Sequence, residues 1–82
     1  MKTITRKSKK ISSEIADFIK DRWNVQEEDL ASQPIRDYLD SLDRIELAME
    51  LEGMYKVTIM DDELHAWEYF SDVVKSVCGK LS

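Results

Sequence analysis

With 82 residues, 43% hydrophobic and 35% charged, the chain is too apolar for disorder and has room for one domain and one core, not for a deep catalytic cleft as well. Two glycines and one proline argue against a turn-rich all-β fold and for helices. The net charge of −5 is uneven: residues 1–10 hold five basic side chains (Lys2, Arg6, Lys7, Lys9, Lys10) and no acid, which leaves seven basic and seventeen acidic residues for 11–82.

An acidic body of this kind repels nucleic acid and anionic membranes and attracts basic protein surfaces. The basic head lacks any aromatic residue, so 1–10 is expected to be a frayed lead-in to a single domain over 11–82, not a nucleic-acid arm. One cysteine rules out a disulfide within the chain, and no CxxC pair or His/Cys cluster points to zinc. The N-terminal charge has no apolar run behind it, so no secretory leader is expected. No apolar stretch approaches membrane-spanning length, and the cytoplasm is the expected location.

Ile11, Ile15, Phe18, Ile19 and Trp23 recur at helical spacing, with Glu14, Asp17, Lys20 and Asp21 on the other face. This predicts a first helix over about 8–23, ended by Asn24, which tolerates left-handed backbone. Residues 25–39 are expected to form a long connection. Glu27, Glu28 and Asp29 lie on its surface, while the irregularly spaced Leu30, Ile35, Tyr38 and Leu39 tuck it against the core. Pro34 interrupts any helix there, and a connection this long in a small domain is often functional.

The second predicted helix covers about 41–54. At 100° per residue, Asp43, Glu46 and Glu50 fall on one narrow stripe, and Leu47, Ala48, Leu51, Met54 and Tyr55 largely oppose it. Leu42, Ile45 and Met49 line one edge of the stripe, whereas Arg44 and Glu52 lie off the pattern. Stacked carboxylates repel, and solvated helix faces usually mix charge signs. An unmixed stripe with an apolar edge therefore suggests a docking surface for a basic partner. Gly53 is expected to weaken the last turn.

Val57 and Ile59 alternate with polar residues as a short extended link, and Met60 to Glu63 then resembles a capped start to a brief third helix over about 61–66. Trp67, Tyr69 and Phe70 crowd the next corner. Phe70, Val73, Val74, Val77, Cys78 and Leu81 keep helical phase and predict a fourth helix, with Gly79 marking a frayed end.

Catalytic chemistry finds no constellation in this sequence. His65 beside Glu63 and Glu68 is expected on the surface, and Cys78 on the apolar stripe of the fourth helix has nothing nearby to lower its pKa. Asp61, Asp62 and Glu63 lack the spacing and glycine of a calcium loop and suit helix capping better. Trp23 and Trp67 have no basic groove beside them and are expected in the core or at a corner.

Asp40-Ser41-Leu42-Asp43 closes the long connection and opens the second helix. Free N–H groups and the positive end of the helix dipole converge there, a good seat for a phosphate ester on Ser41. The plainer reading is a helix cap, since Asp and Ser are common at helix starts for structural reasons.

This stretch, continued by Glu46-Leu47, Met49, Leu51-Glu52 and the aromatic Tyr55, resembles the acyl carrier proteins. The later Ile59, Asp61-Asp62-Glu63 and fourth-helix pattern keep that family's register, so the resemblance runs over about 11–77. It implies an all-α, four-helix bundle of acyl-carrier type with a long first loop and a short third helix. It implies that Ser41, flanked by Asp40 and Leu42, carries 4′-phosphopantetheine, installed from coenzyme A by a phosphopantetheinyl transferase. The thiol of that group would carry acyl intermediates as thioesters between enzymes of fatty-acid or related biosynthesis, the chain itself being a non-catalytic, monomeric phosphoprotein. Glu46, Met49 and Glu52 match positions that meet the transferase and the acyl-processing enzymes, whose surfaces are basic; Asp43 and Glu50 join them by proximity. Leu51, Ile59, Leu64 and Trp67 would border the space for the acyl chain.

Tyr38 stands where the family usually has glycine, Met60 where it has proline, Gly53 where it often has an acid, and Trp67 where a smaller aliphatic residue is usual. These departures point to a specialised carrier, and Trp67 to a narrowed cargo space that favours short or flat acyl groups. The competing class is an unmodified acidic adaptor that docks a basic partner and uses Ser41 only as a cap.

Overall fold

The computed structural model describes residues 6–81, with side chains from Ser8 onward; residues 1–5 of the expected lead-in lie outside the described residues. Helix α1 (Arg6–Trp23) starts two residues before the expected position, so the basic segment is helical from Arg6 on. Its row Ile11, Ile15, Ile19 is buried, one residue every turn on the face turned inward. Asn24 ends it at φ 56°, the left-handed conformation its short polar side chain tolerates.

The connection that follows is not a plain loop. It holds a second helix, α2 (Glu27–Ser32), and a 3₁₀ turn (Ile35–Asp37). Glu27, Glu28 and Asp29 fill the first turn of α2, where the helix dipole favours acids, and Leu30 is buried beneath it. Pro34 forces the preceding residue out of helical backbone, and Gln33 is extended at ψ 150°. As expected, Leu30, Ile35 and Leu39 are buried and Tyr38 half-buried, and the Ile35 N–H donates to the Glu68 carbonyl at 2.8 Å. That bond ties the connection to the corner before the last helix.

Helix α3 (Ser41–Tyr55) is the second predicted helix, and Leu47, Ala48 and Leu51 form its buried face. Met54, expected to face the core, is 43% exposed. The last turn of α3 runs past the core, leaving Gly53 and Met54 in solvent, and Gly53 does not end the helix. Lys56 ends it in left-handed backbone at φ 58°. Helix α4 (Asp61–Ala66) has the predicted bounds and three acids in its first turn, and Leu64 anchors it. Helix α5 (Phe70–Leu81) continues through Gly79, with Val73 and Val77 fully buried.

Among the described residues every regular element is thus helical, with five α-helices where four were expected. Helix α1 packs on α5, and α3 packs on α4 and α5. Ser8 lies against Cys78, Oγ to Sγ 3.9 Å, which brings the start of α1 beside the last turns of α5. Two polar ties set α1 against α3: the Tyr55 hydroxyl donates to Glu14 at 2.7 Å, and Arg22 pairs with Glu46. The ties are eight residues apart on α1 and nine on α3, about 12 and 13.5 Å along the axes, and run in opposite chain directions, so these two helices are antiparallel.

Candidate functional site

The start of α3 is built by two aspartates. The Asp43 N–H donates to Asp40 Oδ1 at 2.8 Å, and the Asp40 N–H donates to Asp43 Oδ2 at 3.3 Å, a reciprocal capping box. The Asp40 carbonyl accepts the Arg44 N–H at 3.0 Å. Ser41 is the first helical residue, exposed, and takes no part in the cap. The N–H groups of Ser41 and Leu42 have no intrahelical acceptor, as at any helix start. Leu42, at 75% exposure, covers nothing beside them. The hydroxyl, two backbone donors and the positive helix end are together open to solvent.

Tyr38 lies three residues before Ser41, and its buried hydroxyl has no hydrogen-bond partner. Burial pushes that phenol up to about 12.

Along α3 from Ser41, Asp43 and Glu46 are half-exposed and Glu50 is exposed, beside exposed Ile45 and Met49. The structure thus brings Asp43, Glu46, Met49 and Glu50 onto one open face. Glu46 is held there by Arg22 from the last turn of α1. The Arg22 guanidinium also lies 5.2 Å from the centre of the Trp23 ring, which in turn meets Phe18 edge-on at 5.9 Å. Glu52 is set apart from the face: its carboxylate accepts the Ile59 N–H at 2.9 Å and pins the link to α4. No pattern in the sequence singled out Arg22, because its partner is 24 positions away and ion pairs between helices leave no periodic trace.

Leu51, Ile59, Leu64 and Trp67, expected around an acyl chain, are all buried within one core cluster. The Trp67 indole N–H donates to Ser76 Oγ at 2.8 Å. Burial raises the Glu63 carboxyl, but hydrogen bonds from Lys80, Ser76 and the Met60 N–H outweigh it and hold it below its ordinary value. Glu63 thus closes a polar chain from Trp67 to Lys80 along the α4–α5 seam. Beside Ile59, a shallow pocket of about 280 Å³ opens at Met60, Asp61 and Asp62. A larger groove of about 590 Å³ lies between α1, α2 and α5, floored by Ala16, Leu30, Phe70 and Val74. It depends on α2, which sequence reasoning missed.

His65 is exposed, Cys78 half-buried against the core, and Trp23 half-buried at the end of α1. Among the described residues no group of three His, Cys, Asp or Glu is placed to hold a metal ion, and no helix is long and apolar enough to cross a membrane. Compared with known proteins, the chain matches no family model and no curated protein sequence.

Proposed function

We propose that this chain is an acyl carrier protein of the four-helix carrier type, with α2 as an extra turn set in its long first loop, and that Ser41 is its point of 4′-phosphopantetheine attachment. One observation carries this reading: Asp40 and Asp43 cap α3 between them, so Ser41 is left over, an exposed hydroxyl at a helix start with no structural duty. The residues present suit a phosphate ester. The N–H groups of Ser41 and Leu42 and the α3 dipole favour negative charge at that spot, and both neighbouring carboxylates are engaged with backbone donors. When bound, the group supplies a thiol at the end of a long arm, on which acyl chains ride as thioesters. The chain's own part is to present that arm and to be recognised.

Recognition falls to α3. Exposed Leu42, Ile45 and Met49 beside Asp43, Glu46 and Glu50 fit a partner whose apolar anchor is ringed by basic residues, as in a transferase or acyl-processing enzyme. The same face would serve an unmodified acidic adaptor, and Ser41→Ala separates the two. Incubation with coenzyme A and a broad-specificity transferase, followed by intact mass, should show one phosphopantetheine on the wild type and none on Ser41→Ala. A wild type that stays bare, together with a Ser41→Ala variant that still supports the cell's use of the protein, would establish the adaptor instead.

A further inference from the structure

The acidic face of α3 is not uniformly available. Glu46, the middle carboxylate of the stripe, is already paired with Arg22 of α1, while among the described residues no cation is paired with Asp43 or Glu50 on either side. Both members of the pair remain partly exposed, at 49% and 38% of their side chains, so a partner can reach them. Arg22 also has somewhere to go: its guanidinium lies over the Trp23 ring, a second seat for the cation when the carboxylate is taken. The Tyr55–Glu14 hydrogen bond would keep α1 on α3 in its absence.

We propose that Arg22 is an internal competitor that sets which basic partners α3 accepts. This rests on reading α3 as the docking face. Asp43 and Glu50 are seven residues apart, about 10 Å along the helix. A partner with two cations at that separation, bracketing an apolar group that lies on Ile45 and Met49, meets Glu50 and the Asp43 carboxylate, which the Asp40 N–H caps but no cation neutralises. A partner that adds a third cation between them must first displace Arg22 from Glu46, and gains little for it. Arg22 therefore favours a spaced pair of cations around an apolar anchor over a continuous basic cluster. Exposed ion pairs are weak, so the exchange is worth about 1.5- to 5-fold in affinity.

Two helical peptides test this. The first carries two lysines seven residues apart with leucines between them; the second adds one central arginine. Dissociation constants are measured by NMR titration against the wild type, Arg22→Gln, Lys10→Gln as a control for net charge, and Glu46→Gln with and without Arg22→Gln. On the wild type the central arginine should bring less than a twofold gain. On Arg22→Gln it should bring about 1.5- to 5-fold more than on the wild type, an increment absent from Lys10→Gln and absent when Glu46 is also Gln. An Arg22 that only braces α1 against α3 would lower the melting temperature and leave the ratio of the two peptides unchanged, which overturns the proposal. So does an equal change in Lys10→Gln, or no binding of either peptide. Transferase kinetics on the same variants keep the carrier reading separate: Ser41 bare in all of them defeats that reading, while the peptide ratios still decide the role of Arg22.

Discussion

Asp40 and Asp43 hold each other's backbone N–H groups across the first turn of α3, at 2.8 and 3.3 Å, and Ser41 sits between them without joining in. The capping duty that a serine at a helix start can serve is thereby carried by the two aspartates. Asp40→Ala should cost about 1 kcal/mol of stability through the lost cap, whereas Ser41→Ala should change the denaturation midpoint by no more than a few tenths of that. Urea melts of the two variants check this. A loss at Ser41→Ala equal to that at Asp40→Ala would return the serine to a capping role.

Tyr38 gives a second, independent test at the same end of the molecule. Its hydroxyl is buried and unpartnered, a donor that has lost water and gained nothing. Tyr38→Phe should therefore raise stability by about 1 kcal/mol, seen as a rise of about 4–8 °C in a domain of this size. The variant should also flatten the alkaline limb of the stability curve. The folded phenol sits at about 12 against 10.0 for the free side chain, so the folded state keeps its proton longer. That share of stability is complete below pH 10 and is lost as pH rises through 12. A fall in melting temperature would show that the hydroxyl has a partner in solution.

The long helices were legible because their apolar rows repeat over three or more turns. Ile11, Ile15 and Ile19 announce α1, and Phe70, Val73, Val74 and Val77 announce α5, without any help from context. Asn24 and Pro34 punctuate the chain by backbone geometry alone, which a sequence also shows. Helix α2 stayed hidden because six residues with one apolar anchor, Leu30, make no period. The end of α3 was expected near 54 and falls at Tyr55, but the left-handed Lys56 that stops it has no local signature in the sequence. At the site, the wheel found the stripe and its apolar edge and left Glu52 off it, and the structure turns Glu52 to the Ile59 N–H. Arg22 belonged to another helix and needed the tertiary fold to appear.

The corner before α5 makes the fold sensitive to acid. Asp72 accepts the N–H groups of Glu68 and Tyr69 at 2.9 and 3.0 Å, and these bonds hold its carboxyl below 3.8. Glu63, bonded by Lys80, Ser76 and the Met60 N–H against the effect of burial, lies below 4.5. Below those ordinary values the unfolded chain binds protons that the folded chain still refuses, so stability falls as pH falls. The contribution is complete above about pH 5 and is lost through the folded values. Asp72→Asn should give a shallower acid limb in melts taken from pH 6 to pH 2, with Glu63→Gln additive to it because the two carboxylates share no partner. An acid limb as steep in the double variant as in the wild type would place the sensitivity elsewhere.

Trp67 connects the core to the proposed cargo. It is 4% exposed, fixed by the 2.8 Å bond from its indole to Ser76, and packed in one cluster with Leu51, Ile59 and Leu64. An acyl chain sheltered here has to part these side chains, and the indole is the largest and most firmly held of them. Short or flat groups should therefore be protected better than long ones. Complete removal is a poor test, because Trp→Ala in a core costs about 3–5 kcal/mol, a large share of the stability of any small domain. Trp67→Leu keeps the site apolar and opens space, while Ser76→Ala frees the indole without changing its volume. Thioester hydrolysis of short- and long-chain forms, followed by intact mass, should show long chains hydrolysing faster on the wild type. Trp67→Leu should narrow that difference severalfold, and Ser76→Ala should narrow it less. Equal protection of both lengths on the wild type, unchanged by Trp67→Leu, would mean that the indole does not limit the cargo.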